Sequence, residues 1–265
     1  MRYLFEDWAE IASRIRRAHR IFLLTDFDGT LTPIVERPED AILSKEIRDS
    51  LASLAKNHRY MVGIISGRDL RDLMSRVGVA GVTYAGNHGL EIHGKGLSFV
   101  EPIAQGMQSL LRVLHHALSV AFRGIEGVFV EDKGLTLSIH YRMAKDREED
   151  RIKEIVDRIT GPLHAGGRVK VTTGKKVYEV RPPVAWDKGK AIEWLLARGG
   201  VRPGDNTWPV FVGDDVTDED GFAVVNRRNG ISVFVGEPAA VSRAVYYLPS
   251  PQEVGVLLTR LVDIR

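Results

Sequence analysis

Residues 21 to 34 read IFLLTDFDGTLTPI: an apolar run that ends in two carboxylates, Asp26 and Asp28, followed at once by Gly29 and Thr30. A continuous run bounded by acidic residues and Gly predicts a strand buried on both faces, as in a parallel sheet. Three further runs share the pattern: YMVGII from residue 60, VFV before Gly213, and ISVFV before Gly236. Segments of helical period lie between them. Ser44 is placed to cap a helix through Ile47, Leu51, Leu54 and Ala55, and Asp187 to cap another through Ile192, Leu195 and Leu196. This βαβα rhythm predicts an α/β fold with a doubly wound, Rossmann-like parallel sheet.

The middle of the chain breaks the rhythm. From about residue 103 to 181 it reads as a helix, a hairpin pair GVFVEDKGLTLSIHYR, a charged helix opening at DREEDR, and a second pair RVKVTTGKKVYEVRP. The expected organisation is therefore a core made of residues 1–102 and 182–265, with an α+β domain inserted as residues 103–181. The charged run DREEDR is read as a solvated helix start.

Composition narrows the function classes. Hydrophobic residues make up 44% and charged residues 27% of the 265, as expected of a folded enzyme-sized chain. A formal charge of +2 supplies no global field toward nucleic acid or an anionic membrane. The chain has no cysteine, which excludes disulfides, thiolate nucleophiles and cysteine zinc sites. The opening MRYLFEDWAE is acidic where a signal peptide is apolar, and no apolar run approaches the ~18 residues of a membrane span. The expected setting is the cytosol, with no nucleic-acid or membrane partner. The eight histidines show no metal-ligand spacing, and no nucleotide-binding glycine loop appears.

Ligands of an open α/β sheet bind beyond the carboxyl ends of the strands. There the sequence places Asp26-Phe27-Asp28-Gly29-Thr30, then Ser66-Gly67-Arg68, then Gly213-Asp214-Asp215, with Lys188 at the start of the helix opening WDKGKA. Asp26 and Asp28, one through its side chain and the other through its backbone carbonyl, form with Asp214 an oxygen-rich set suited to magnesium. With the cation present, Asp26 can approach an anionic phosphate and attack phosphorus. Ser66 and Lys188 are placed to hold phosphate oxygens. Plainer readings stand beside these. The Asp pair can be a turn bonded to its own backbone, Ser66 can merely cap the next helix, and GDDVTDED can be a helix start in which Asp215 and Asp218 only meet the dipole.

The four-part constellation resembles the haloacid-dehalogenase superfamily of phosphohydrolases. The resemblance implies that Asp26 is the nucleophile and Asp28 the acid/base, with magnesium as cofactor. The interval from Asp26 to Ser66 holds only a helix and a strand, whereas that from Ser66 to Lys188 holds a domain, which resembles the superfamily's second cap type.

A finer resemblance, to the trehalose-6-phosphate phosphatases, rests on DFDGTLTPI, IISGR, GNHGLEI, EDKGLTLSIHYR, GKKVYEVRP, WDKGKAIEWLL and VGDDVTDEDGF, in that order. It implies hydrolysis of trehalose 6-phosphate, with a separate synthase supplying the substrate. It carries sugar binding to Glu131, Lys133, Arg142, Lys175 and Glu179. Core-side substrate contact falls to Arg68, Asn87 and His88, with Thr30, Gly67 and Gly89 beside them. Strand alternation independently puts Glu131 with Lys133, His140 with Arg142, and Lys175 with Glu179 on shared faces. Those faces can also be a solvent-facing ladder of ion pairs, with His140 simply packed, and Asn87-His88-Gly89 can be an ordinary turn. Three rivals remain: a phosphatase of another glycosyl phosphate, of glucosylglycerol or mannosylglycerate type, a phosphomutase, and a non-catalytic sugar-phosphate sensor. Oligomeric state is not legible.

Overall fold

The computed structural model describes residues 1–199, 206–238 and 241–264. The chain divides into two compact units, Met1–Phe99 with Trp186–Arg265, and Val100–Ala185. Strands β1 (Arg2–Tyr3), β2 (Arg20–Thr25), β3 (Tyr60–Ile65), β4 (Thr83–Gly86), β5 (Glu91–Gly94) and β6 (Leu97–Val100) come first. Then follow β7 (Phe129–Asp132), β8 (Leu137–His140), β9 (Lys170–Gly174) and β10 (Val177–Arg181), and finally β11 (Thr207–Gly213), β12 (Ile231–Val235) and β13 (Tyr246–Leu248). Helices α1 (Trp8–Arg17), α2 (Lys45–Lys56) and α3 (Leu70–Val77) precede the second unit. Within it lie α4 (Pro102–Gly106), α5 (Gln108–Ala121) and α6 (Glu149–Ala165), and after it α7 (Lys188–Arg198), α8 (Glu219–Arg227) and α9 (Pro251–Asp263).

The first unit is organised by a sheet of order β1-β13-β12-β11-β2-β3-β4-β5-β6. Its centre is parallel, β2 lying between β11 and β3, and the turn from β4 to β5 makes one edge antiparallel. Side chains alternate across β2. Ile21 and Leu23 join a core with α1, α2, α3 and α9, while Phe22 and Leu24 join a second core with α7 and α8. Both faces are thus covered by helices, the doubly wound arrangement expected from uninterrupted apolar runs. The caps agree with the sequence: the Ser44 hydroxyl accepts the Ile47 amide, and the Asp187 carboxylate accepts that of Lys190.

The second unit is an antiparallel sheet of order β7-β8-β10-β9, with α5 and α6 on one face. Leu137 and Ile139 are fully buried against those helices, each worth about 1.5–3 kcal/mol on burial. A slip of one residue would expose both, so the register is fixed by the apolar face. Glu131, Ser138, Glu179 and Thr172 consequently line up across four strands on the opposite face. Among the described residues no helix is long and apolar enough to cross a membrane.

Candidate active site

Register brings the first unit's polar residues to one end of its sheet. Thr25, the last residue of β2, pairs with Ile64 of β3 and Val212 of β11. Asp26, Ser66 and Asp214 therefore leave three adjacent strands at about the same level. The chain then turns tightly. The Phe27 carbonyl accepts amides from Leu31 and Thr32 at 2.9 and 3.1 Å, and Gly29 takes a φ of 80°. A Cβ at Gly29 would stand 2.2 Å from the Asp214 carboxylate, so only glycine lets the two strand ends approach this closely.

The centre of the network is Lys188. Its ammonium donates to Asp218 Oδ1 at 2.7 Å and lies 2.9 Å from Asp26 Oδ2. Asp26 Oδ1 accepts the Phe27 amide at 2.7 Å. Asp218 Oδ2 accepts the amides of Asp214 and Asp215 at 3.1 and 3.0 Å, and Thr30 donates its hydroxyl to Asp214 Oδ1 at 3.0 Å. Burial drives the Asp26 carboxyl well above its ordinary pKa; Lys188 opposes the rise, and Asp218 and Asp214 add to it. Burial, followed by the charge of Asp218, pushes Asp214 up to about 7. For Lys188, burial works against the charge, but Asp218 and Asp26 outweigh it and raise the pKa.

Carboxylate oxygens of Asp26, Asp214 and Asp218 all lie within 4.8 Å of one another. Three carboxylates face one ammonium, an excess of two negative charges in a largely buried place. That set of hard oxygen donors fits a divalent cation of the magnesium class. The carboxylate of Asp28 points elsewhere, onto Arg68, with 2.7 and 2.6 Å contacts. Its backbone carbonyl is thus the ligand atom left for the role foreseen for it.

Ser66 is buried, and its hydroxyl oxygen accepts the Arg68 amide at 3.2 Å. Opposite it, Asn87 and His88 are both left-handed, with φ of 49° and 58°, a conformation costing about 1–3 kcal/mol per residue. The strain is held by the Asn87 amide on the Arg68 carbonyl and the His88 amide on the Ser66 carbonyl, at 2.7 and 2.8 Å. Asn87 also donates its side-chain amide to Glu91 at 2.8 Å. These bonds lock the segment at residues 87–89 to the one at 66–68. Gly67 and Gly89 are glycines for packing reasons: a Cβ would meet the His88 ring at 2.8 Å in one case and Ala191 at 2.3 Å in the other.

Thr30 and Arg68, read from the sequence as substrate contacts, are spent on neighbours in this structure. Thr30 serves Asp214, and Arg68 serves Asp28, Asp72 and the Pro38 carbonyl. Asp218, left in the sequence as a helix-start residue, belongs to the central network. The local signal it did carry was the Asp215-to-Asp218 spacing of a capping box, which by itself points to a helix start.

In the second unit Glu131, Lys133 and Glu179 share the face opposite the helices, but it is not an exposed ladder. Lys133 and Glu179 are largely withdrawn from solvent and lie 3.8 Å apart. Arg181, which alternation puts on the face of Glu179 and which the sequence reading passed over, lies 3.6 Å from Glu179. His140 bonds Glu131 at 2.8 Å and stacks on Phe129. Arg142 and Lys175 lie outside the strands, in loops at one end, where Arg142 donates to the Lys175 carbonyl at 3.3 Å. Strand alternation does not reach those two residues.

Residues 24–252 match the trehalose-phosphatase family. The chain is 34% identical to a probable trehalose-phosphate phosphatase D of Arabidopsis thaliana, over 98% of this chain and 71% of the relative. It is 33% identical to trehalose-phosphate phosphatase B of the same plant, over 93% and 67%. Among solved structures it is similar to the C-terminal domain of a Candida albicans trehalose-6-phosphate phosphatase, with TM-score 0.81, 25% identity and 96% of each chain covered.

Proposed function

The chain belongs to the trehalose-phosphatase family, and we propose that it hydrolyses trehalose 6-phosphate to trehalose and phosphate through a phosphoryl group carried on Asp26. The observation that carries the reading is the contact of Asp26 with Lys188 inside a buried carboxylate cluster at the end of β2. Lys188 opposes the rise that burial imposes on the Asp26 carboxyl and so favours its ionised, nucleophilic form where a phosphate can arrive. Asp26 forms a bond to phosphorus as the bond from phosphorus to the sugar oxygen breaks, and Asp28 gives that oxygen a proton. Asp28 then takes a proton from water as the water attacks the acyl phosphate and frees Asp26. Ser66 and Lys188 hold the phosphoryl oxygens.

Asp26, Asp214 and the Asp28 carbonyl would hold a magnesium ion, with Asp218 orienting the set. When bound, the ion offsets the surplus negative charge and screens the phosphate from it. In this reading Glu131, Lys133, Arg142, Lys175 and Glu179 recognise the sugar, which the low exposure of Lys133 and Glu179 supports. A separate synthase supplies the substrate, and the setting is cytosolic.

The test is phosphate release from a panel of sugar phosphates with magnesium, for the wild type and Asp26→Asn. Preference for trehalose 6-phosphate and loss of turnover in the folded variant are expected. Near-normal release by Asp26→Asn would end the covalent mechanism, and preference for another glycosyl phosphate would end the substrate assignment.

A further inference from the structure

The guanidinium of Arg68 is held on every side. Nε and Nη2 form a fork on the two Asp28 oxygens, Nη1 donates to Asp72 at 2.8 Å, and Nη2 donates to the Pro38 carbonyl at 2.8 Å. The Phe27 ring lies against it, 5.3 Å from centroid to guanidinium carbon. Asp72 is itself fixed by Arg76 at 2.8 Å, and Arg76 reaches the carbonyls of Glu39 and Ala41. Arg68 thus ties Asp28 to the first turn of α3 and to the 38–41 segment. These bonds engage four of the five donors a guanidinium owns, so Arg68 is poorly placed to grip a substrate.

The fork is lopsided in burial. The Arg68 side chain is 8% exposed and that of Asp28 is 39% exposed. A pair serving the core alone would hide both partners. Here the cation is the anchored element, and the carboxylate keeps an open side. A carboxylate offers about four lone-pair sites, and a fork consumes two. The remaining two face away from Arg68.

We infer that Arg68 is the positioning residue for Asp28, setting the carboxylate's plane so that its open side meets the leaving sugar oxygen. The inference rests on the reading of Asp28 as proton donor. In that step the bond from Asp26 to phosphorus forms, the sugar oxygen keeps the electron pair of the breaking bond, and it takes the proton from Asp28. A misaimed acid slows this step only for a leaving group that needs the proton.

The test measures the first half-reaction alone by rapid quench, with magnesium present, on trehalose 6-phosphate and on p-nitrophenyl phosphate, whose phenolate departs unprotonated. The variants are Arg68→Ala and Arg68→Lys; the lysine retains the charge and cannot form a fork. Trehalose release in the first turnover should slow by ~10²-fold in both, at the low end for general-acid catalysis. Nitrophenolate release and both half-saturation concentrations should stay within roughly threefold of wild type. Equal slowing on both substrates, a rise in half-saturation alone, or rescue by lysine would each overturn the inference. Asp28→Asn is the reference. If it lacks the leaving-group selectivity, the reading of Asp28 fails; if it has the selectivity and the Arg68 variants do not, only the positioning role fails.

Discussion

The ammonium of Lys188 lies 2.9 Å from Asp26, with both side chains almost wholly withdrawn from water. The same ammonium holds Asp218 at 2.7 Å. Removing one partner of a buried ion pair strands the other, which costs about 3–5 kcal/mol. Lys188→Met should lose that much stability at neutral pH in chelator, read from urea unfolding. The loss should shrink toward acid pH, where the Asp26 carboxyl, raised well above its ordinary pKa by burial, takes a proton. A loss well under 1 kcal/mol would mean that the carboxylates do not depend on the lysine.

The acidic cluster also predicts how the metal-free protein responds to pH. Burial and Asp218 raise Asp214 to about 7 in the folded chain, against an ordinary 3.8. A carboxyl whose folded pKa is raised gives its full stability below the ordinary value and loses it as pH climbs through the folded one. Melting temperature in chelator should therefore fall from about pH 4 to about pH 7, and millimolar magnesium should flatten the fall. Parallel curves with and without magnesium would argue against a cation among Asp26, Asp214 and Asp218.

Gly29 is a sharper probe of the same place. Alanine there meets the Asp214 carboxylate and a φ of 80° together. Gly29→Ala should cost about 1–3 kcal/mol in folding through backbone strain. It should also raise the magnesium concentration for half-maximal activity, because Asp214 must move. An unchanged magnesium dependence would separate Gly29 from the metal site.

The alternating cores and the strand-end polar groups were legible because periodicity and capping are local. Ile21 to Leu24 announce a strand covered on both faces, and Ser44 and Asp187 announce helix starts. What escaped depended on side-chain direction at long range. Nothing near Arg68 in sequence says that it turns back onto Asp28, forty positions away. Asp218 looked like a helix-start residue because Asp215 caps the short helix at Val216–Asp218 and Asp218 completes that capping box; its second partner, Lys188, lies thirty positions off. Arg142 and Lys175 took their sugar-binding role from the family resemblance; the alternation set beside it ran a two-residue period past the ends of β8 and β9, where the chain had already turned.

The sugar assignment stands or falls on the second unit. Glu179 lies between Lys133 at 3.8 Å and Arg181 at 3.6 Å, on the face turned from the helices. Glu179→Gln keeps the shape and removes the charge. If the face binds sugar, kcat/KM for trehalose 6-phosphate should fall about 10- to 100-fold, the worth of a hydrogen bond to a charged group. Hydrolysis of p-nitrophenyl phosphate, which has no sugar to lose, should stay within roughly threefold, because remote binding energy serves only a substrate that makes the contact. Melting temperature decides the remaining ambiguity. Equal losses on both substrates with a lowered melting point would make Glu179 a brace for Lys133 and Arg181, and the case for trehalose would then lack support from this face.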